Sequence, residues 1–327
     1  MSRKVLIISF SFEQEKEAFE VLEQTGFEPM LLAQNDRQGF TEGDFINYWN
    51  NLLDKPEGLL MGADIPLGEQ FASRAEGLKG ISLNCAGYDH LELAAFSKRN
   101  IPICNVPRQN FDAVADLIFG LILSVMRKIP ESDQNIRQGK WCDGVERGYA
   151  VSQKTIGIIG FGAIGQAVAK RALGFDMKVI VSSTSQKPEL SKQYQAEYVD
   201  RKTLFETADI IVPTCPLNED TYHMIDGKIL EMMKKDAFVV NASRGGIIDS
   251  EALFAALKNK KIAGAALDVF EEEPLYKSEL FELENIVVTP HIGGLADREI
   301  HNVAMQAAYN MVDLLNGKQL KTIIGEE

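Results

Sequence analysis

Short apolar runs alternate with longer amphipathic segments along almost the whole chain, a pattern that predicts parallel strands covered by helices. In the first third, strands are expected at residues 5–9, 28–32, 58–61, 81–84 and 103–105. Helices are expected between them at 13–24, 45–53, 69–76 and 91–99, which makes a small doubly wound unit. A long helical segment starts at Phe111, bends at Pro130, whose ring removes a donor, and ends near Gly139. Residues 140–154, with Gly144 and Gly148, read as a loop. A second unit follows, with strands expected at 155–159, 178–181, 209–212, 238–241, 264–266 and 286–288. The last helix, 297–315, is amphipathic and has no strand after it, so it is expected to pack back on the first unit.

Gly160, Gly162 and Gly165 form a G-x-G-x-x-G between the strand at 155–159 and an Ala/Val-rich helix. In that position Gly160 permits the tight turn, Gly162 lets the backbone approach a pyrophosphate, and Gly165 lets helix and strand pack closely. The helix N-terminus then offers N–H groups and partial positive charge to phosphates. With six strands, the second unit reads as a Rossmann dinucleotide-binding domain. The fold class is therefore α/β, a Rossmann domain beside a smaller, flavodoxin-like doubly wound domain.

Composition narrows the partners. A chain of 327 residues is long for one core, which favours two domains. A net charge of −13 without a basic patch argues against a nucleic-acid partner, and an anionic substrate would need a local cation. Cys85, Cys104, Cys142 and Cys215 have no C-x-x-C spacing, so reduced thiols in a cytoplasmic protein are expected, and no metal site. The start of the chain runs straight into a strand and does not read as a signal peptide. The longest apolar stretch, 117–126, is too short to span a bilayer.

Ligands of open parallel sheets bind beyond the carboxyl ends of the strands, so chemistry is sought there. Arg244 follows the strand at 238–241 and can hold a carboxylate with a planar two-point fork; a surface ion pair is the other use its position allows. Asp268 ends the next strand and could accept from an amide. Of Glu271, Glu272 and Glu273, two are expected to be merely solvated, and spacing alone does not single out the third. His291 follows the strand at 286–288, beside Gly293 and Gly294; imidazole suits proton exchange with an alcohol or ketone, although a lone histidine can equally be structural. An Arg, a carboxylate and a His at successive strand ends favour the chemical reading.

These residues resemble the D-isomer-specific 2-hydroxyacid dehydrogenases, NAD(P)-dependent enzymes with two α/β domains. The likeness runs from about Asn84 to the last helix. It rests on Cys85-Ala-Gly-Tyr-Asp89, Val168-Ala-Lys-Arg171, the Asn-Ala-Ser-Arg-Gly-Gly of 241–246, Leu267-Asp-Val-Phe270, Glu273-Pro274 and Thr289-Pro-His-Ile-Gly-Gly294. The resemblance implies a discontinuous substrate-binding domain of residues 1–103 and 296–327, and an NAD(P)-binding domain of residues 104–295. It implies that Arg244 anchors the substrate, that His291 is the acid/base, and that Glu273 orients it. Ala86 and Gly87 would hold the substrate carboxylate through backbone N–H groups, and Asp268 would accept from the nicotinamide carboxamide. Ala163 and Ile164 would lie over the pyrophosphate, with Pro216, Thr221, Ala242, Ser243 and Gly293 as further cofactor contacts. The reaction would interconvert a small 2-oxo acid and its D-2-hydroxy acid by hydride transfer.

Some positions depart from the pattern. The acidic residue expected after the second strand of an NAD-type turn is replaced by Ser183, followed by Thr184, Ser185 and Lys187, so an NADP(H) preference is expected. Arg108 stands where family members commonly carry Gly or Ala, and either contacts an extra anionic group or pairs at the surface. Trp141 lies in a stretch that family dimers place across the subunit interface, or is an ordinary packing residue. Residues 117–123 are apolar on nearly all sides, which suggests a homodimer interface. Two other readings share the fold: a dinucleotide-sensing, corepressor-like interaction protein, and a phosphite or formate dehydrogenase-like enzyme. Likeness around residues 195–198 and the cofactor loop favours glyoxylate or hydroxypyruvate as substrate.

Overall fold

Two parallel sheets, each in its own unit, account for the strands of the computed structural model, which describes residues 3–324 except 38, 64, 108, 109 and 321. The first unit comprises Met1–Asn110 and Leu295–Glu327. Its strands β1 (Arg3–Ile8), β2 (Phe27–Leu31), β3 (Gly58–Met61), β4 (Gly80–Leu83) and β5 (Ile103–Cys104) lie in the order β2-β1-β3-β4-β5. That is the flavodoxin-like order. The helix Asp297–Leu315 covers the sheet with Ala304, Ala307, Ala308 and Met311, all fully buried. Gly58 makes this possible, since a β-carbon there would lie 2.5 Å from Met311 Sδ. Residues 104–110 stay with this unit. Asn105 N donates to Thr322 O at 3.2 Å and Ile324 N to Ile103 O at 2.8 Å, stitching the segment to the tail.

One element expected here takes a different form. In place of a single helix over 13–24 there are two, Phe10–Glu13 and Lys16–Gln24. Ser9 ends the strand and caps the first of them, its hydroxyl accepting from Phe12 N at 3.4 Å. A serine cap competes well with strand continuation, because it satisfies an orphan N–H of the helix start.

The second unit is Phe111–Gly294. Its strands are β6 (Thr155–Ile159), β7 (Lys178–Ser182), β8 (Ala196–Tyr198), β9 (Ile210–Pro213), β10 (Phe238–Asn241), β11 (Gly264–Leu267) and β12 (Ile286–Val288). The order β12-β11-β10-β9-β6-β7-β8 is the Rossmann arrangement with one further parallel strand at the β12 edge. The sheet has seven strands, not the six expected. The addition is β8, a three-residue strand paired with β7 and too short to show periodicity in sequence.

The long helical segment breaks into Phe111–Arg127 and Ile129–Arg137, with Lys128 left-handed at φ 55°. Pro130 cannot donate to the carbonyl of Met126, which accepts instead from Tyr149 N at 2.8 Å. The apolar character of 117–123 has a partner within the unit. Ile118, Phe119, Leu121 and Ile122 are buried in one core with Ile156, Ile158 and Val168, while Leu117 and Leu123 are partly buried. Each such side chain contributes about 1.5–3 kcal/mol when fully buried. No helix among the described residues is long and apolar enough to cross a membrane.

Candidate active site

The glycine turn is built as its spacing implies. Gly160 has φ +90°, a left-handed value that side chains rarely adopt. A β-carbon at Gly165 would lie 2.5 Å from Gly160 O, so helix and turn touch there through backbone alone. At Gly162 a β-carbon would meet nothing within 4 Å, which leaves space above the turn for a pyrophosphate. Gly162 is also the N-cap of the helix Ala163–Gly174, and no side chain caps it. The first-turn N–H groups, including those of Ala163 and Ile164, therefore face a position that suits an anion. Thr214, not singled out from the sequence, fastens the turn: its Oγ1 donates to Gly160 O at 2.8 Å.

Beyond the ends of β7 and β9–β11 lie the other expected cofactor residues. Ser183 is half-buried and Thr184, Ser185 and Lys187 are exposed. Thr221 is buried, and its hydroxyl serves its own turn, donating to Pro216 O at 2.7 Å and accepting from Asn218 N at 2.8 Å. Ala242 and Ser243 are buried after β10, with Ser243 N and Oγ both donating to Asn241 Oδ1, at 3.0 and 2.9 Å.

At the β11–β12 end, His291 Nδ1 and Glu273 Oε2 lie 2.6 Å apart. The other oxygen of Glu273 accepts from Phe270 N at 2.8 Å, which fixes the carboxylate plane. The hydrogen bond to Glu273 raises the imidazole pKa above its ordinary value; partial burial opposes this, and the charge of Asp268 adds to it. The guanidinium of Arg244 is near enough to act against protonation of the same ring. Arg244 is half-buried and donates through Nη1 to Ser243 O at 2.7 Å. Asn241 Nδ2 in turn donates to Arg244 O at 2.8 Å.

Asp268 is fully buried, and both its oxygens are engaged with the segment that carries His291. Oδ1 accepts from Thr289 Oγ1 at 2.6 Å and from Ile292 N at 2.8 Å, while Oδ2 accepts from Gly293 N at 2.9 Å. Its main-chain carbonyl accepts from His291 N at 2.8 Å. Burial pushes this carboxyl above the usual range, opposed by those hydrogen bonds and by the His291 charge.

Among the described residues Glu272 has no hydrogen-bonding partner, whereas Glu271, like Glu273, is not merely solvated. Its Oε2 lies 2.7 Å from His223 Nε2 and its Oε1 accepts from Ser250 N at 3.0 Å. Burial pushes its pKa up, and the hydrogen bonds of His223 and Ser250 outweigh that to hold it low. The sequence offered no sign of this pairing, because His223 lies far from the acidic run. Ala86 and Gly87 belong to the first unit, in the loop after β4, with Ala86 O accepting from Asn105 Nδ2 at 2.7 Å. Trp141 is 78% exposed, and Arg108 lies outside the described residues.

A glycine turn open to an anion and an imidazole paired with a carboxylate, both at strand ends of one parallel sheet, are the arrangement expected of an α/β oxidoreductase. Residues 119–293 match the family described as D-isomer specific 2-hydroxyacid dehydrogenase, NAD binding domain. The chain is 42% identical over 266 residues to a glyoxylate reductase of Thermococcus litoralis, covering 79% of this chain and 80% of that protein. Among solved structures, a glyoxylate reductase from Paecilomyes thermophila superposes with a TM-score of 0.84 at 27% identity, covering 99% and 98% of the two chains. An acyclic imino acid reductase in complex with NADPH and D-Arg superposes with a TM-score of 0.82 at 26% identity, covering 98% and 99%. The chain belongs to the D-isomer-specific 2-hydroxyacid dehydrogenase family, and is an NAD(P)-dependent enzyme of that kind.

Proposed function

We propose that this chain reduces glyoxylate or hydroxypyruvate to the D-2-hydroxy acid, with NADP(H) preferred, through His291, Glu273 and Arg244. The contact of His291 with Glu273 carries the reading: the hydrogen bond raises the imidazole pKa and so favours the protonated ring that a general acid needs. With Nδ1 engaged by Glu273, Nε2 of the imidazolium is the donor left for a carbonyl oxygen. Donation leaves a neutral ring, and Glu273 restores the charged form when a proton returns from water. Arg244 binds the carboxylate and carbonyl oxygens of the substrate and stabilises oxyanion charge as it develops, supplying the cation this acidic chain needs. The N–H groups of Ala86 and Gly87 hold the carboxylate. Asp268, buried and engaged through both oxygens, keeps the 289–293 segment in place. A bound reduced nicotinamide supplies the hydride taken up by the 2-carbon.

The glycine turn, Ala163, Ile164, Pro216, Thr221, Ala242, Ser243 and Gly293 would hold the dinucleotide, with the first unit serving substrate and the second, Phe111–Gly294, serving cofactor. The NADP(H) preference is supported by exposed Thr184, Ser185 and Lys187 beside Ser183, with no carboxylate there to repel a 2′-phosphate. A homodimer in the cytoplasm completes the reading; exposed Ile129, Ile136 and Trp141 support association, which sedimentation would test. Similarity to glyoxylate reductases supports the small substrate. A panel of 2-oxo acids with NADPH and with NADH, followed at the absorbance of the reduced nicotinamide, tests the whole proposal. Turnover of glyoxylate or hydroxypyruvate with NADPH is expected. Failure on every 2-oxo acid, or a clear preference for NADH, would overturn the corresponding part.

A further inference from the structure

We infer that Asn105 is a positioning residue for the substrate carboxylate, acting through the peptide that joins Ala86 to Gly87. The inference rests on the reading that this loop holds the carboxylate. In a planar trans peptide the C=O of one residue and the N–H of the next point in opposite directions. A group that captures the oxygen therefore aims the hydrogen. Asn105 Nδ2 donates to Ala86 O at 2.7 Å, so the Gly87 N–H is turned away from Asn105. The preceding peptide is held in the same way, with Val106 N donating to Cys85 O at 3.1 Å, which turns the Ala86 N–H away from Val106. The following one is held by Cys85 Sγ, which donates to Gly87 O at 3.2 Å.

Three successive carbonyls are thus captured, and among the described residues the N–H groups of Ala86, Gly87 and Tyr88 donate to no protein acceptor. Successive N–H groups left without a protein acceptor suit an anion. Asn105 is suited to hold the loop because it is itself fixed from two sides. Its N–H donates to Thr322 O at 3.2 Å, and its carbonyl accepts from Asn310 Nδ2 at 3.1 Å. Asn310 is buried in the helix Asp297–Leu315, and its Oδ1 accepts from Gln306 Nε2 at 2.9 Å. Of the two captured peptides nearest the centre of the loop, only the Ala86–Gly87 one depends on a side chain of β5's neighbourhood that can be exchanged by mutation.

The test compares Asn105→Ala and Asn105→Asp with the parent enzyme, using glyoxylate and NADPH. Asn105→Ala should raise KM for glyoxylate by about tenfold or more, the scale of a misplaced binding group, while kcat falls far less and the NADPH dissociation constant stays unchanged. Asn105→Asp keeps the side-chain size and loses the donor when ionised, so its KM should rise with pH and recover as the acid is protonated. If Asn105→Ala does not fold, as judged by far-UV circular dichroism, the aspartate variant carries the test. An unchanged KM in the folded alanine variant, or a flat pH response equal to wild type in the aspartate variant, overturns the inference and leaves the proposed function standing. Should the parent chain turn over no 2-oxo acid, the functional reading fails separately. Calorimetric titration with oxalate then reads the loop directly: weaker binding to Asn105→Ala supports the inference, and equal binding, or none to wild type, overturns it.

Discussion

Gly245 lies so close to Phe270 that a β-carbon on the glycine would overlap the Phe270 carbonyl. The turn after β10 is thereby pressed against the backbone that leads from Asp268 to Glu273, which sets Arg244 and Glu273, the partner of His291, on adjoining segments. Gly245→Ala must push these segments apart. We expect kcat/KM to fall by about 100-fold, the cost of roughly 1 Å of misplacement, and steady-state kinetics on glyoxylate would show it. Activity equal to wild type would mean that Arg244 does not need this close approach.

Removal of the imidazole separates chemistry from cofactor binding. His291→Ala should lower kcat by about 10²–10⁴-fold, the range for loss of a general acid. NADPH titration by fluorescence should give an unchanged dissociation constant, because the glycine turn lies at a different strand end. A variant with near-wild-type turnover would exclude His291 as the proton donor.

The pH dependence follows from the direction of the His291 shift. Its pKa is raised, chiefly by the hydrogen bond to Glu273, and the protonated ring is the active form for reduction. The reductive rate should therefore fall as pH rises through the raised value. Glu273→Gln should move that limb down toward the ordinary imidazole value of about 6.5. Stability obeys the same sign: the pair's contribution is fully present below the unfolded pKa and fades as pH rises through the folded one. Thermal midpoints of wild type and Glu273→Gln should differ most at acid pH and converge above it. A gap that widens with pH would contradict the assignment.

Two glycines of one fingerprint should fail differently. Gly165→Ala meets Gly160 O at 2.5 Å and should cost about 1–3 kcal/mol of stability through overpacking, seen as a lower thermal midpoint. Gly162→Ala meets no atom within 4 Å, so the midpoint should hold. Its methyl instead occupies space above the turn and should weaken NADPH binding about tenfold, or 1.4 kcal/mol. Equal effects on both quantities in both variants would show that the turn is not read by phosphate.

Cofactor choice can be moved at one position. Ser183→Asp places a carboxylate where a ribose 2′-hydroxyl would be bound and a 2′-phosphate repelled. The ratio of kcat/KM for NADPH over NADH should drop by about tenfold or more, since a like-charge contact costs at least the 1.4 kcal/mol of one decade. An unaltered ratio would place the 2′-position elsewhere.

How much was legible beforehand depends on where the signal is local. Glycine spacing, the Pro130 break and the run from Asp268 to His291 are written in neighbouring residues, and the parallel character of both sheets follows from the alternation of strands and helices. β8 was hidden because Ala196–Tyr198 is only three residues long. The helix start at Phe10 was hidden because Ser9 acts through its hydroxyl, which periodicity does not register. Spacing does not separate Glu271 from Glu273; the family motif Glu273-Pro274 pointed to the second, whereas the pairing of Glu271 with His223 appears only in the fold. The same holds for Asp268, whose side chain serves a loop more than 20 residues later, a contact that exists only once β11 and β12 pair.

The route of the chain has a consequence for its birth on the ribosome. Residues 111–294 are contiguous, so the nascent polypeptide holds every strand of that unit before Asp297–Leu315 has been translated. The opening strands, made first, must wait longest for their cover, with Gly58 and Gly80 bare until Met311 and Leu314 emerge. Synthesis that stalls after residue 294 would release a molecule whose later-made half can close while its earlier-made half stays open to aggregation.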